Sequence, residues 1–130
     1  MVRHLHRPTI RFFEADQQRV VYHMWYFAYF EDARNDMLER NGLSLRSLLE
    51  SGYDLQVVHF ELDLLGAVRW EDELVIAVDV DRVGTTSFTL RYEALVNGLR
   101  QVTGRVVYVV VSRGEGHKTP VPEELRRVLG

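Results

Sequence analysis

The residues best suited to chemistry stand together in RFFEADQQRVVYHMW, residues 11–25. Glu14 and Asp16 flank Ala15. Seven positions separate Asp16 from His23, with Arg19 and Tyr22 between them and Trp25 just beyond. A carboxylate held beside a carbonyl group can attack it or draw a proton from water. The exposed N–H groups at the start of a helix can stabilise the negative charge that then develops on oxygen. A loop of this length can turn Asp16 toward a helix that begins near His23. Taken alone, an Asp ahead of a helix reads first as a cap or a surface residue, and Glu14 as a structural or solvated strand residue. His4 and His6 form an H-x-H pair without a third ligand at what reads as a frayed terminus. With no cysteine in the chain, no thiolate nucleophile or thiolate metal site exists, and no metal is expected. No G-x-S-x-G elbow, P-loop, dinucleotide fingerprint or H-E-x-x-H is present.

The elements that must hold these residues follow from hydrophobic period. Residues 9–14, TIRFFE, read as a short strand. Tyr26, Phe30, Ala33 and Met37 then recur at spacings of three and four, with Phe27 and Leu38 widening the stripe. Arg34 falls on the polar side with Glu31, Asp32, Asp36, Glu39 and Arg40. This predicts an amphipathic helix over about 24–40, ended by Asn41-Gly42. A shorter helix is expected at 44–51, capped by Ser44 and stopped by Gly52. Beyond residue 53 the period becomes two. Val58, Phe60, Leu62 and Leu64 share one face of the first run; Leu74, Ile76, Val78 and Val80 share one face of the second. Phe88, Leu90, Tyr92, Ala94 and Val96 do so in the third. The last run, QVTGRVVYVVV, turns apolar on both faces. Trp70-Glu71-Asp72, Val83-Gly84-Thr85-Thr86 and Asn97-Gly98 separate the runs as turns, and Pro122 opens a short terminal helix. The order predicts an α+β plan: a curved antiparallel sheet of about five strands wrapped around one long helix.

Totals narrow the function classes. The chain has 130 residues, of which 46% are apolar, and reads as one domain over 1–130. Net charge is −3, from 16 basic and 19 acidic residues scattered along the sequence. No basic stripe tracks a phosphate backbone, so nucleic acid is not an expected partner. No apolar run reaches the ~20 residues needed to span a bilayer, so membrane insertion is not expected. The N-terminus carries no signal-peptide pattern, and the absence of cysteine is compatible with the cytoplasm. His59 reads as an interface or solvent residue, and Glu71-Asp72-Glu73 as a solvated turn.

The segment 11–34 resembles the N-terminal signature of the 4-hydroxybenzoyl-CoA thioesterase family and its relatives associated with the Tol-Pal system. Glu14 and Asp16 match the acidic pair, Val20-Val21-Tyr22-His23 the turn, and Tyr26, Phe30-Glu31 and Ala33-Arg34 the helix. Arg69, Asp72, the RVGTTS run from Arg82 to Ser87 and the PVPEEL run from Pro120 to Leu125 extend the likeness over nearly the whole chain. The resemblance implies a hotdog fold and hydrolysis of acyl-CoA thioesters. Asp16 would be the nucleophile or general base, and the backbone N–H near His23 the oxyanion donor, its imidazole a second helper. Tyr22, Trp25 and Arg19 would line the substrate site. No cofactor is implied beyond the CoA of the substrate. Two sheets would join edge to edge in a homodimer, or further in a homotetramer, with residues of both subunits at the site. Where the family carries Gly this chain has Arg19, and where it carries Asn this chain has Trp25. Arg19 either takes a different turn or narrows the entrance; Trp25 adds apolar surface near the acyl site. Two alternatives stay open: release of acyl chains from a carrier protein, and a non-catalytic acyl-binding protein of the same fold.

Overall fold

Spacings of three and four produce a helix where they predict one. In the computed structural model, which describes residues 3–130, helix α1 spans Trp25–Arg40. Phe30, Ala33 and Leu38 are fully buried, flanked by Tyr26 and Met37. Asn41 ends the helix by donating its side-chain amide to the Met37 carbonyl at 2.7 Å, and Gly42 follows at φ 82°. The buried face is wider than the stripe, because Tyr29 and Arg34 are buried too. Arg34 therefore does not join the polar side. Its guanidinium donates to Glu31 Oε2 at 2.7 Å and to Asn35 Oδ1 at 3.0 and 3.1 Å, and lies 5.1 Å over the Tyr108 ring. A buried charge is tolerable when its donors find acceptors. Helix α2, Leu45–Glu50, starts where Ser44 Oγ accepts the Ser47 N–H at 3.0 Å.

Five antiparallel strands wrap this helix: β1 (His4–His6), β2 (Tyr53–Leu64), β3 (Leu74–Val83), β4 (Ser87–Val96) and β5 (Leu99–Ser112), in spatial order β1-β3-β4-β5-β2. Asn97 and Gly98 join β4 to β5 with φ of 52° and 75°, the left-handed pair of a two-residue hairpin turn. Helix and sheet meet where the Phe30 ring stacks on Tyr92, centroids 4.5 Å apart and planes 8° from parallel. Gly104 lies beneath, and a Cβ there would overlap Phe30. Helix α3, Glu123–Leu129, buries Leu125 and Leu129; Pro122 precedes it as N-cap.

Three expectations are corrected. Residues 9–14 form no strand; only a 3₁₀ turn occurs there, at Phe12–Glu14. The Glu14 carboxylate takes the Arg11 N–H at 2.8 Å, folding the chain where a strand would have extended it. The first strand lies earlier instead. His4 and His6 pair with Val78 and Ile76 of β3, so this segment is docked and not frayed. In β2, a bulge between Val57 and His59 shifts the phase. Leu55 and Val57 oppose the buried Val110 and Tyr108, and Phe60 opposes buried Val106, while Val58 is left exposed. The face turned toward the core is thus 55 and 57, then 60 and 62, with only Leu55 and Leu62 packed against the core, and not the unbroken series from Val58. The second apolar face of VVYVVV is covered in part by the chain itself. The chain turns back after β5, pairs Lys118 with Val111, and leaves Val109 and Val111 buried.

Candidate active site

Between the 3₁₀ turn and α1, residues 15–21 close on themselves. Ala15 bridges Val21, and the Asp16 N–H donates to the Val20 carbonyl at 2.8 Å. Two bonds stitch this loop to the β2–β3 connection: Val21 N–H to the Val68 carbonyl at 2.8 Å, and Trp70 N–H to the Arg19 carbonyl at 2.9 Å. Asp16 sits at the loop's exposed side. Its Oδ1 accepts the N–H groups of Gln18 at 2.8 Å and Val20 at 3.3 Å. One carboxylate oxygen is thereby fixed by backbone, and Oδ2 is free of protein donors among the described residues. Such an Asx turn orients a carboxylate without covering it.

The start of α1 supplies the second half. Tyr22 donates its N–H to the Glu14 carbonyl at 2.9 Å, Trp25 to Tyr22 at 3.0 Å and Tyr26 to His23 at 3.3 Å. Among the described residues, no acceptor takes the intervening amides of His23 and Met24. These are the orphan donors that every helix start leaves. The imidazole of His23 lies against the Tyr22 ring, centroids 4.3 Å apart. A cavity of about 170 Å³ opens here, lined by Asp16, Tyr22 and His23 together with Tyr26 and, from the end of β2 and beyond, Leu64, Gly66 and Ala67. Burial pushes the Tyr26 hydroxyl up to about 12, against the opposing hydrogen bond with Val68, so it is un-ionised at neutral pH.

Three of the five residues expected at a site thus meet in one cavity: Asp16, Tyr22 and His23. Trp25 and Arg19 do not line it. Trp25 is half-buried and packs edge-to-face on Phe13, ring centroids 5.6 Å apart. Arg19 occupies the loop with φ 62°, the left-handed conformation a Gly would take at this point, and its guanidinium is not among the contacts of the Asp16 carboxylate. Leu64, Gly66 and Ala67 were not legible as site residues, because only the docking of the loop on the β2–β3 connection brings them there. His59 lies outward, exposed, 3.3 Å from Glu61. Among the described residues, no group of three or more His, Asp or Glu side chains is placed to hold a metal ion, and no helix is long and apolar enough to cross a membrane.

Residues 10–129 match the thioesterase-like superfamily. The chain belongs to this superfamily. Its members hydrolyse thioesters, and this protein is a thioester hydrolase in class. It is 24% identical over 127 residues to a 1,4-dihydroxy-2-naphthoyl-CoA hydrolase of Synechococcus, covering 93% of this chain and 85% of that one. The fold matches a crystal structure of a protein from Aquifex aeolicus with TM-score 0.92, at 21% identity over 97% of this chain and 98% of that chain. It also matches the 1,4-dihydroxy-2-naphthoyl-CoA thioesterase of Synechocystis with TM-score 0.88, at 18% identity over 98% and 96% of the two chains. These superfamily folds are hotdog folds, as the curved sheet around α1 is here.

Proposed function

We propose that this superfamily member hydrolyses an acyl-CoA thioester, with water supplying the acid's new oxygen and CoA leaving as the thiol. One observation carries the reading: Asp16, with one carboxylate oxygen free, and His23, with its amide unpaired, line the same cavity. Asp16 Oδ2 either attacks the carbonyl carbon or takes a proton from the attacking water. The His23 amide, with Met24 beside it, receives the developing oxyanion. The His23 imidazole, packed at a tilt against Tyr22, is placed to assist, and Tyr22 contributes apolar surface to the acyl site. Trp25 and Arg19 then shape the surroundings at one remove. The signature in residues 11–34 supports the 4-hydroxybenzoyl-CoA and Tol-Pal branch as the particular relation. The reading needs no metal or redox cofactor, treats 1–130 as one domain, and assigns the work to the cytoplasm.

The site is shallow in one chain, and β2 beside it is the edge strand of the sheet, carrying exposed Val58, Phe60 and Leu64, with exposed Leu65 just beyond. Edges and apolar patches of this kind favour a partner. A second copy of the chain, added at β2, completes the proposed enzyme as a homodimer, from which a homotetramer can be built.

The test is thiol release from a panel of aryl, short and long acyl-CoAs, headed by 1,4-dihydroxy-2-naphthoyl-CoA because of the relatives' named substrate. Turnover of at least one member, lost in Asp16→Asn, supports the reading. Turnover only of acyl groups carried on an acyl carrier protein would move the substrate to that class. Binding without turnover of either kind would favour the non-catalytic alternative.

A further inference from the structure

Glu14 is one of the few buried charged residues outside the proposed reaction, 7% exposed. It lies two residues before Asp16, and it accepts three hydrogen bonds from three residues. Its Oε1 accepts the Arg11 N–H at 2.8 Å and the Tyr29 hydroxyl at 2.9 Å. Its carbonyl accepts the Tyr22 N–H at 2.9 Å. The loop that carries Asp16 therefore leaves from Glu14 and returns to it at Tyr22, the residue before the His23 amide. Tyr29 stands in the second turn of α1, 3% exposed and edge-to-face with Tyr26, ring centroids 6.0 Å apart. Burial and then the neighbouring Glu14 carboxylate push the Tyr29 hydroxyl far up, which keeps it a donor.

We propose that Glu14 and Tyr29 are positioning residues that hold the Asp16 carboxylate and the His23 amide in register. The reasoning is geometric. Asp16 and the amide belong to different elements, a loop and a helix start, and nothing joins them directly. Glu14 is the residue bonded both to the base of the loop and to the body of α1. Its carboxylate fixes the loop to the helix through Tyr29, and its carbonyl fixes the start of the helix to the loop. Misplacement of reacting groups by about 1 Å can lower turnover by roughly 100-fold, so a brace of this kind acts on kcat. A role in folding alone would instead appear as lost stability with turnover per folded molecule retained.

This rests on the acyl-CoA hydrolase reading, and the test separates the two. Tyr29→Phe removes one oxygen; Glu14→Ala removes the whole acceptor; Glu14→Gln keeps an oxygen able to accept both donors. Each is measured in the full chain for kcat and KM, and by amide hydrogen exchange across residues 15–23. Expected are a fall in kcat of about 10- to 100-fold in Tyr29→Phe and Glu14→Ala, with KM within roughly threefold of the parent. Glu14→Gln should recover most of that loss. The Asp16, Arg19 and Tyr22 amides, each bonded inside the loop or to Glu14, should exchange faster in the two damaging variants, with β3 and β4 unchanged. If Glu14→Ala does not fold, Tyr29→Phe decides. A folded Tyr29→Phe with parental kcat, or with unchanged exchange in the loop, overturns the proposal. If the parent releases no thiol from any acyl-CoA, the hydrolase reading fails, and the exchange data still decide whether the brace exists.

Discussion

Asp16 shows how a side chain can serve a loop and a reaction at once. Its Oδ1 holds the Gln18 and Val20 amides, which Asn at this position can also do. Asp16→Asn should therefore keep the loop and the melting temperature while losing the charge that attacks or abstracts. We expect kcat/KM to fall at least about 100-fold, roughly 3 kcal/mol of transition-state stabilisation. Asp16→Ala should lose the same activity and some stability as well. Near-parental turnover in the folded Asn variant would remove Asp16 from the mechanism. Arg19 presents the opposite case, a backbone requirement met by an unsuited side chain. At φ 62° a residue with a Cβ is strained by about 1 kcal/mol, which Gly avoids. Arg19→Gly should raise the urea midpoint, by up to about 1 kcal/mol of stability. The order of preferred acyl groups should stay the same, because the cavity lining does not include Arg19. A changed order would give its guanidinium a part in recognition.

At the level of elements, α1 is tied down at both ends of its buried face. Toward its C-terminal end, Asp36 Oδ2 accepts from His4 Nε2 at 2.9 Å and His6 Nδ1 at 3.1 Å, so the helix holds β1 in place. Burial alone would raise the Asp36 pKa. The hydrogen bonds from His4 and His6, with the charges of His6 and Arg40, outweigh it and hold the carboxyl below its ordinary 3.8. The sign follows from linkage: a depressed folded pKa contributes stability above the unfolded value, and this is lost as pH falls through the folded value. Wild type should be more stable than Asp36→Asn above pH 3.8, and the gap should close at lower pH. Urea midpoints measured at several pH values check this; a gap constant through the acid range would mean that the clasp acts without charge. The contact of α1 with the sheet is as tight at Phe30. Gly104→Ala should destabilise the fold by about 1–3 kcal/mol, since Phe30 is packed against Tyr92 and has little room to yield. An unchanged midpoint would show that the ring can shift.

For the molecule as a whole, the decisive surface is the β2 edge. Its bulge turns Val58 outward, 58% exposed, next to an edge that no strand among the described residues covers. Sedimentation at micromolar concentration should find a dimer. Val58→Lys, a charge on a strand edge, should shift the equilibrium toward monomer and lower specific activity with it. A folded, fully active monomer would place the whole site in one chain.

Period and punctuation alone determined α1, α2, the run of late strands and the hairpin at Asn97-Gly98, because each depends on residues within a few positions of one another. The acidic residue ahead of the helix was legible too, through its setting in residues 11–34. Tertiary structure decided the rest. The alternation over residues 9–14 gave way to a turn because Glu14 could bond Arg11 and Tyr29 at once. The phase of β2 changed at one bulge, which no local pattern announces. Arg34 went inward because Glu31 and Asn35 were there to receive it, with the Tyr108 ring beneath its guanidinium. Leu64, Gly66 and Ala67 reached Asp16 only through hydrogen bonds between segments more than forty residues apart. Local period sets which residues can turn inward together. Which of them meet at a site depends on the partners that long-range packing supplies.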